Sequence, residues 1–232
     1  MTTRRHTGRL GCSIMAAAVL AALHLGFAAA GAAEPKAAPS RWEKTIQRFE
    51  QQDARQFPPK NAVLFLGSSS IVGWDLKRWF PDVETINRGF GGSEIADSVR
   101  FAERVVIPYA PRVIVFYAGD NDVARGKTPE QVLADFRRFT AKVHAELPKT
   151  RIVFVAIKPS IRRWQLVDKM RQANRMIREA CEAGERLVFV DIDPPMIGPD
   201  GKPKNELFRD DGLHLNAAGY RLWSDLVRPH LK

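Results

Sequence analysis

Cysteine is scarce: the 232 residues hold two, Cys12 and Cys181. Cys12 lies in an N-terminal segment read below as removable, so Cys181 stands alone. No intrachain disulfide is then expected, even in an oxidising compartment. Cys181 falls on the apolar face of a predicted helix, the place of a small core residue. No Cys/His cluster has zinc spacing, and no metal or cofactor is implied. Basic residues outnumber acidic ones, 36 to 26, yet never form a block of five. Nucleic-acid binding wants a basic stripe with interleaved aromatics, and the sequence has none. The excess charge leaves room for weak association with anionic envelope surfaces. A phosphate loop would need Gly-Lys-Ser/Thr after Gly67, and it is missing. A dinucleotide fingerprint starting at Gly89 and Gly91 fails at Glu94. The nucleophile elbow of α/β-hydrolases fails at Ile71, where it needs glycine.

What is present is a foldable chain with a leader. Thirteen Phe, five Trp and 45% hydrophobic residues are too many to leave in water, which excludes disorder as the main state. Arg4, Arg5 and Arg9 precede an apolar stretch from Ile14 to Phe27 and then the small residues Ala28 to Ala33. This is the pattern of a signal peptide over residues 1–33 with cleavage near Ala33. It implies export, to the periplasm or beyond the cell. A retained anchor is the alternative, but the strongly apolar part falls short of the roughly 20 residues of a span. Losing the three arginines takes the net charge from +10 to +7.

Residues 34–59 read as a linker followed by a helix near Trp42 to Gln51. From residue 60 to 232 strands and helices alternate. Ala62–Leu66, Thr85–Ile86, Arg112–Tyr117, Ile152–Ile157 and Leu187–Val190 are short apolar runs, as expected of buried parallel strands. Thr128, Pro129 and Gln131 read as N-cap, first helical residue and capping box. Val132, Leu133, Phe136, Phe139 and Val143 follow at helical spacing, with His144 off that face and expected at the surface. Leu166, Val167, Met170, Ile177, Ala180 and Cys181 repeat the pattern, and Gly184 is expected to stop it. The alternation predicts one doubly wound α/β domain of three layers around a parallel sheet of about five strands. Ligands of such sheets bind beyond the carboxyl ends of the strands.

Four segments at or near that edge carry chemistry. They are Gly67-Ser68-Ser69-Ser70-Ile71, Asn87-Arg88-Gly89-Phe90-Gly91-Gly92-Ser93, Gly119-Asp120-Asn121-Asp122 and Asp211-Gly212-Leu213-His214. Taken singly, each is ordinary turn or cap chemistry. Taken together they supply what ester hydrolysis needs: a hydroxyl, a base, an orienting carboxylate and oxyanion donors. Ser69 would sit at a strand-to-helix turn. Asp211 and His214, three apart, can lie on one side of a single turn. Gly92 lets an oxygen approach a bare N–H, and Asn121 offers a neutral amide.

In these blocks the sequence resembles the SGNH hydrolases, a branch of the GDSL esterase/lipase family, over roughly residues 60–228. The resemblance implies a flavodoxin-like fold. It implies Ser69 as nucleophile and oxyanion donor, Gly92 and Asn121 as the other donors, His214 as base and Asp211 as its orienting acid. Ser68 stands where the family usually has Asp. Asp210, four residues from His214, is the weaker acid candidate. Trp74, Phe90, Arg88 and Lys158 are further candidates for lining the substrate site, with Arg162 beside them. Asp120 and Asp122 are expected to fix the loop that aims Asn121. The sequence therefore reads as an exported serine esterase acting on short carboxylic esters, acetylated carbohydrate among them, because no long apolar lid separates the blocks. A lysophospholipase or thioesterase on the same machinery, and a non-catalytic glycan- or acyl-binding protein, are the alternatives.

Overall fold

In the computed structural model, the described residues are Thr2 and residues 40–232. The expected signal segment and most of the expected linker lie outside them. Five strands form one parallel sheet: β1 (Val63–Gly67), β2 (Thr85–Gly89), β3 (Val113–Tyr117), β4 (Arg151–Val155) and β5 (Leu187–Val190). Their spatial order is β2-β1-β3-β4-β5. Parallel neighbours cannot be joined by tight turns, so helices make the crossovers. The helices are α1 (Glu43–Arg55), which precedes the sheet, α2 (Ser69–Val72), α3 (Leu76–Trp79), α4 (Ile95–Val105), α5 (Asp120–Ala124), α6 (Pro129–Glu146) and α7 (Val167–Ala183), and then α8 (Asp193–Met196) and α9 (Ala217–Val227), which follow the last strand.

The period-two alternation of each strand feeds two cores. Leu64, Leu66, Ile114, Phe116, Ile152 and Phe154 face a layer built on α1, α4, α6 and α7. Val63, Phe65, Val115, Tyr117, Val153 and Val155 face the other layer, which includes α2, α3 and α9. Helix α1 contributes Ile46 and Phe49 to the first core, so it packs as part of the domain. The capping box of α6 forms as its sequence predicts. Cys181 is buried, and burial pushes its thiol up to about 12, which suppresses thiolate chemistry.

Three details depart from the sequence expectation. Strand β2 continues through Asn87 and Arg88, whose polarity hides it from a hydrophobic pattern. Asn87 donates to Ile71 O at 2.8 Å, and Arg88 is absorbed by an internal ion pair. His144 is half-buried, its Nε2 3.0 Å from Thr150 O. Gly184 follows α7 with φ −103°, so glycine's freedom is not used there; Arg186 takes the positive φ instead.

Candidate active site

The strand order reverses around β1, which pairs with both β2 and β3. Such a switch point opens a crevice at the carboxyl edge. The segments after β1, β2 and β3 carry Ser69, Gly92 and Asn121.

Strand β1 ends at Gly67 with φ +137°, and a Cβ there would lie 1.8 Å from Tyr117 O. Only glycine permits that approach. The chain turns immediately: Ser68 N–H donates to Tyr117 O at 3.1 Å, and Ser68 O accepts from Ile71 and Val72 N–H. Ser69 thus becomes the first residue of α2, where a backbone N–H has no partner within the helix. Ser68 acts through its backbone alone. Its hydroxyl is buried and has no partner among the described residues.

Ser69 Oγ lies 3.1 Å from His214 Nε2. His214 Nδ1 lies 2.5 Å from Asp211 Oδ2. The other carboxylate oxygen accepts the backbone N–H groups of Leu213 and His214, at 2.9 and 2.8 Å. One aspartate therefore shapes the turn and orients the imidazole. The His214 ring and these two N–H groups hold the Asp211 carboxyl well below the usual carboxylate range. Asp211 remains ionised at any pH where His214 can act as a base. Asp210 is exposed, and the ring hydrogen bond goes to Asp211.

Asn121 is the second residue of α5 and is 8% exposed. Its Oδ1 accepts from Arg163 at 3.0 Å, while Nδ2 donates one hydrogen to Ser93 O at 3.0 Å. The amide orientation is thereby fixed, and the second Nδ2 hydrogen is left for a ligand. Asp120 accepts from Lys158 and Arg163, at 3.1 and 2.9 Å. Lys158 also reaches Tyr117 Oη at 2.9 Å and Ser70 Oγ at 3.2 Å. Burial drives the Asp120 carboxyl up, and the two cations more than reverse it. The carboxylate of Asp122 accepts from Ile95 N–H and Lys127 Nζ, which pins the start of α4 behind Gly92. Both aspartates therefore brace the loops, as the sequence suggests.

The four proposed lining residues are corrected. Trp74 is 2% exposed, donates to Ser224 Oγ at 3.0 Å and packs among Phe65, Phe80, Tyr220 and Trp223. Phe90 is buried behind the Gly92 loop between Trp42 and Phe101. Arg88 is buried under α1, tied to Asp53 and Tyr109. Lys158 is 1% exposed and fully occupied by internal acceptors. Trp74 and Phe90 serve packing, and Arg88 and Lys158 are spent on internal ion pairs. Arg162 is exposed and meets the histidine loop through its backbone N–H, 3.0 Å from Gly212 O. The sequence reading missed Arg163, whose signal is only its place after β4.

A five-stranded sheet of this order, with polar side chains gathered at its switch point, defines a flavodoxin-like hydrolase fold. The chain belongs to the GDSL-like lipase/acylhydrolase family, whose model matches residues 65–222. It is 27% identical over 187 residues to human platelet-activating factor acetylhydrolase IB subunit alpha1, covering 78% of each chain. Among solved structures it is similar to a GDSL-like lipase from Bacteroides thetaiotaomicron. There the TM-score is 0.70 at 21% identity, over 80% of this chain and 96% of that one. It is also similar to a carbohydrate esterase family 3 protein from Talaromyces cellulolyticus. The TM-score is 0.57 at 18% identity, over 73% and 95% of the two chains.

Proposed function

We propose that this acylhydrolase is an exported serine esterase that cleaves short-chain carboxylic esters, including acetyl groups on carbohydrate. The observation that carries the reading is the chain of contacts from Ser69 Oγ to His214 at 3.1 Å and from His214 to Asp211 at 2.5 Å. Ser69 attacks the ester carbonyl while His214 Nε2 takes its proton. The oxyanion is held by the N–H groups of Ser69 and Gly92 and by the Asn121 amide. His214 then returns the proton to the leaving alcohol, and water, activated by the same imidazole, releases the acid. Short acyl groups fit because Trp74 and Phe90 are committed to the core and do not line an acyl channel. The acetylhydrolase and carbohydrate esterase relatives act in the same direction. Export rests on the N-terminal basic, apolar and small-residue pattern of residues 1–33.

The test is a panel of chromogenic esters from acetate to decanoate, run on wild type and Ser69→Ala. Turnover should be highest for the shortest acyl groups and vanish in the variant, with the melting temperature preserved. Retained turnover in Ser69→Ala overturns the mechanism. A preference for long chains overturns the substrate class. Failure of a fluorophosphonate probe to label wild type would favour a binding protein.

A further inference from the structure

The alcohol half of an ester cleaved here must sit on the histidine side of the site, because His214 returns the proton to the leaving alcohol. The 3₁₀ segment Ile161–Leu166, which follows β4, adjoins the histidine turn. Arg162 N–H donates to Gly212 O at 3.0 Å, and a Gly212 Cβ would lie 3.1 Å from Ile161 Cβ. Arg163 of the same segment holds Asn121. Ile161 itself is 39% exposed, an apolar surface directly beside the turn.

Two cavities lead away from that segment. The first, about 350 Å³, is lined by Ile161, Trp164, Asp200 and Lys202. The second, about 520 Å³, lies between α7 and the stretch after β5, with Arg171, Arg175 and Arg178 on one helix face. Trp164 joins them: Lys202 Nζ is 5.0 Å and the Arg171 guanidinium 5.5 Å from its ring centroid. Most of the charge is already spent. Arg171 binds both oxygens of Asp193, at 2.7 and 3.0 Å, and Arg178 is paired with Asp191. Asp200 accepts the backbone N–H of Lys202 at 3.0 Å. Arg175 and Lys202 are exposed, and their side chains meet no carboxylate among the described residues. Each cavity thus offers one cation without an internal partner. A small anion would satisfy one of them, whereas a chain charged on successive units satisfies both. A polynucleotide would want several aromatics to stack on, and these walls supply Trp164 alone.

We propose that the substrate is an acetylated acidic polysaccharide, its sugar carboxylates held by Lys202 and then Arg175 while an acetyl ester sits at Ser69. This rests on the esterase reading and names the alcohol that it acts on. Ile161 and Trp164 meet the C–H faces of the sugar next to the histidine turn. Carboxylate on guanidinium or ammonium is a charge-assisted contact. Each such contact at the surface is weak, and repeating it along one chain makes the binding selective.

The experiment measures acetate release by the full-length protein from chemically acetylated polygalacturonate and from the same polymer with its carboxylates amidated. Wild type should prefer the acidic polymer by about 2–30-fold in kcat/KM, the worth of two exposed charge contacts. The preference should shrink as salt is raised. Arg175→Gln/Lys202→Gln should remove most of it, chiefly through KM. Lys77→Gln/Arg221→Gln, which removes two exposed cations from α3 and α9 in the layer across the sheet, should retain it. Equal rates on the two polymers, or the same loss of preference in both double variants, overturns the proposal. Turnover of a chromogenic acetate by wild type separates the readings. With that turnover intact, an absent acid preference removes the polysaccharide track alone; without it, the esterase reading falls and the track with it.

Discussion

The two sides of the candidate site are built in opposite ways. On the oxyanion side, Asn121 is held between Arg163 and Ser93, above a buried cluster of Asp120, Lys158 and Tyr117. On the acid–base side, the His214 and Asp211 side chains keep 33% and 36% of their surface exposed. They are organised by one short turn of their own. The contrast matches the tasks proposed for them. Donors stabilise developing charge only if they already point at it, so a rigid mount is worth having. A base that takes a proton from Ser69 and hands it to a departing alcohol must face the solvent side where that alcohol leaves. Damage to the first side should therefore cost both fold and chemistry, and damage to the second chemistry alone.

The largest effect expected from this contrast is at Asp211. Asp211→Asn keeps an oxygen for the N–H groups of Leu213 and His214, so the turn should survive. It cannot stabilise the imidazolium or fix the ring tautomer, and kcat should fall about 10⁴-fold. The melting temperature should stay within about 2 °C, since exposed ion pairs contribute little. The depressed Asp211 pKa adds a check on wild type. A carboxyl whose folded pKa is lowered stays ionised until the pH falls well below its unfolded value of about 3.9. The acid limb of kcat/KM should thus follow a single protonation between about pH 4 and 8, with no step from Asp211. A second protonation in that window would show that Asp211 is not held as its hydrogen bonds indicate.

Asn121 comes next. Removing its amide by Asn121→Ala should lower kcat about 10²–10³-fold, the usual cost of one oxyanion donor. An effect confined to KM would assign the amide to ground-state binding. Unlike Asp211→Asn, this variant should also lose stability, because Arg163 and Ser93 O both lose a buried partner. Equal melting temperatures for the two variants would remove the distinction drawn between the two sides.

Legibility in the sequence follows the same division. Strands β1, β3 and β4 are visible because parallel strands buried on both faces read as apolar runs, and β5, half-buried at the sheet edge, is apolar throughout. β2 is half hidden because the polar Asn87 and Arg88 are held by partners elsewhere in the chain. Ser69, Gly92, Asn121, Asp211 and His214 are legible as short blocks, since each lies in a contiguous stretch of glycine and polar residues. The brace beneath Asn121 is not. Asp120 and Lys158 are 38 positions apart, and an isolated lysine after a strand looks the same whether it faces substrate or core. Trp74 fails for a related reason: an acyl pocket and a packed core both call for a large aromatic, and only the neighbours decide.

Lys158 gives the smallest expected effect on turnover and the clearest test of the brace. Its ammonium is buried, which pushes its pKa down, with Asp120 opposing. Lys158→Met keeps the length and apolar bulk of the side chain but leaves Asp120 with Arg163 alone. Stability should fall by about 3–5 kcal/mol, the usual result of removing one partner from a buried pair. Turnover of the folded fraction should fall no more than about tenfold, because Arg163 still orients Asn121. Adding Asp120→Asn should restore part of the lost stability, since the uncompensated charge is then gone. The opposite outcome, a stable Lys158→Met with turnover abolished, would return Lys158 to the substrate-facing role its sequence position suggests. The oxyanion side would then owe its rigidity to the Asn121 bonds alone.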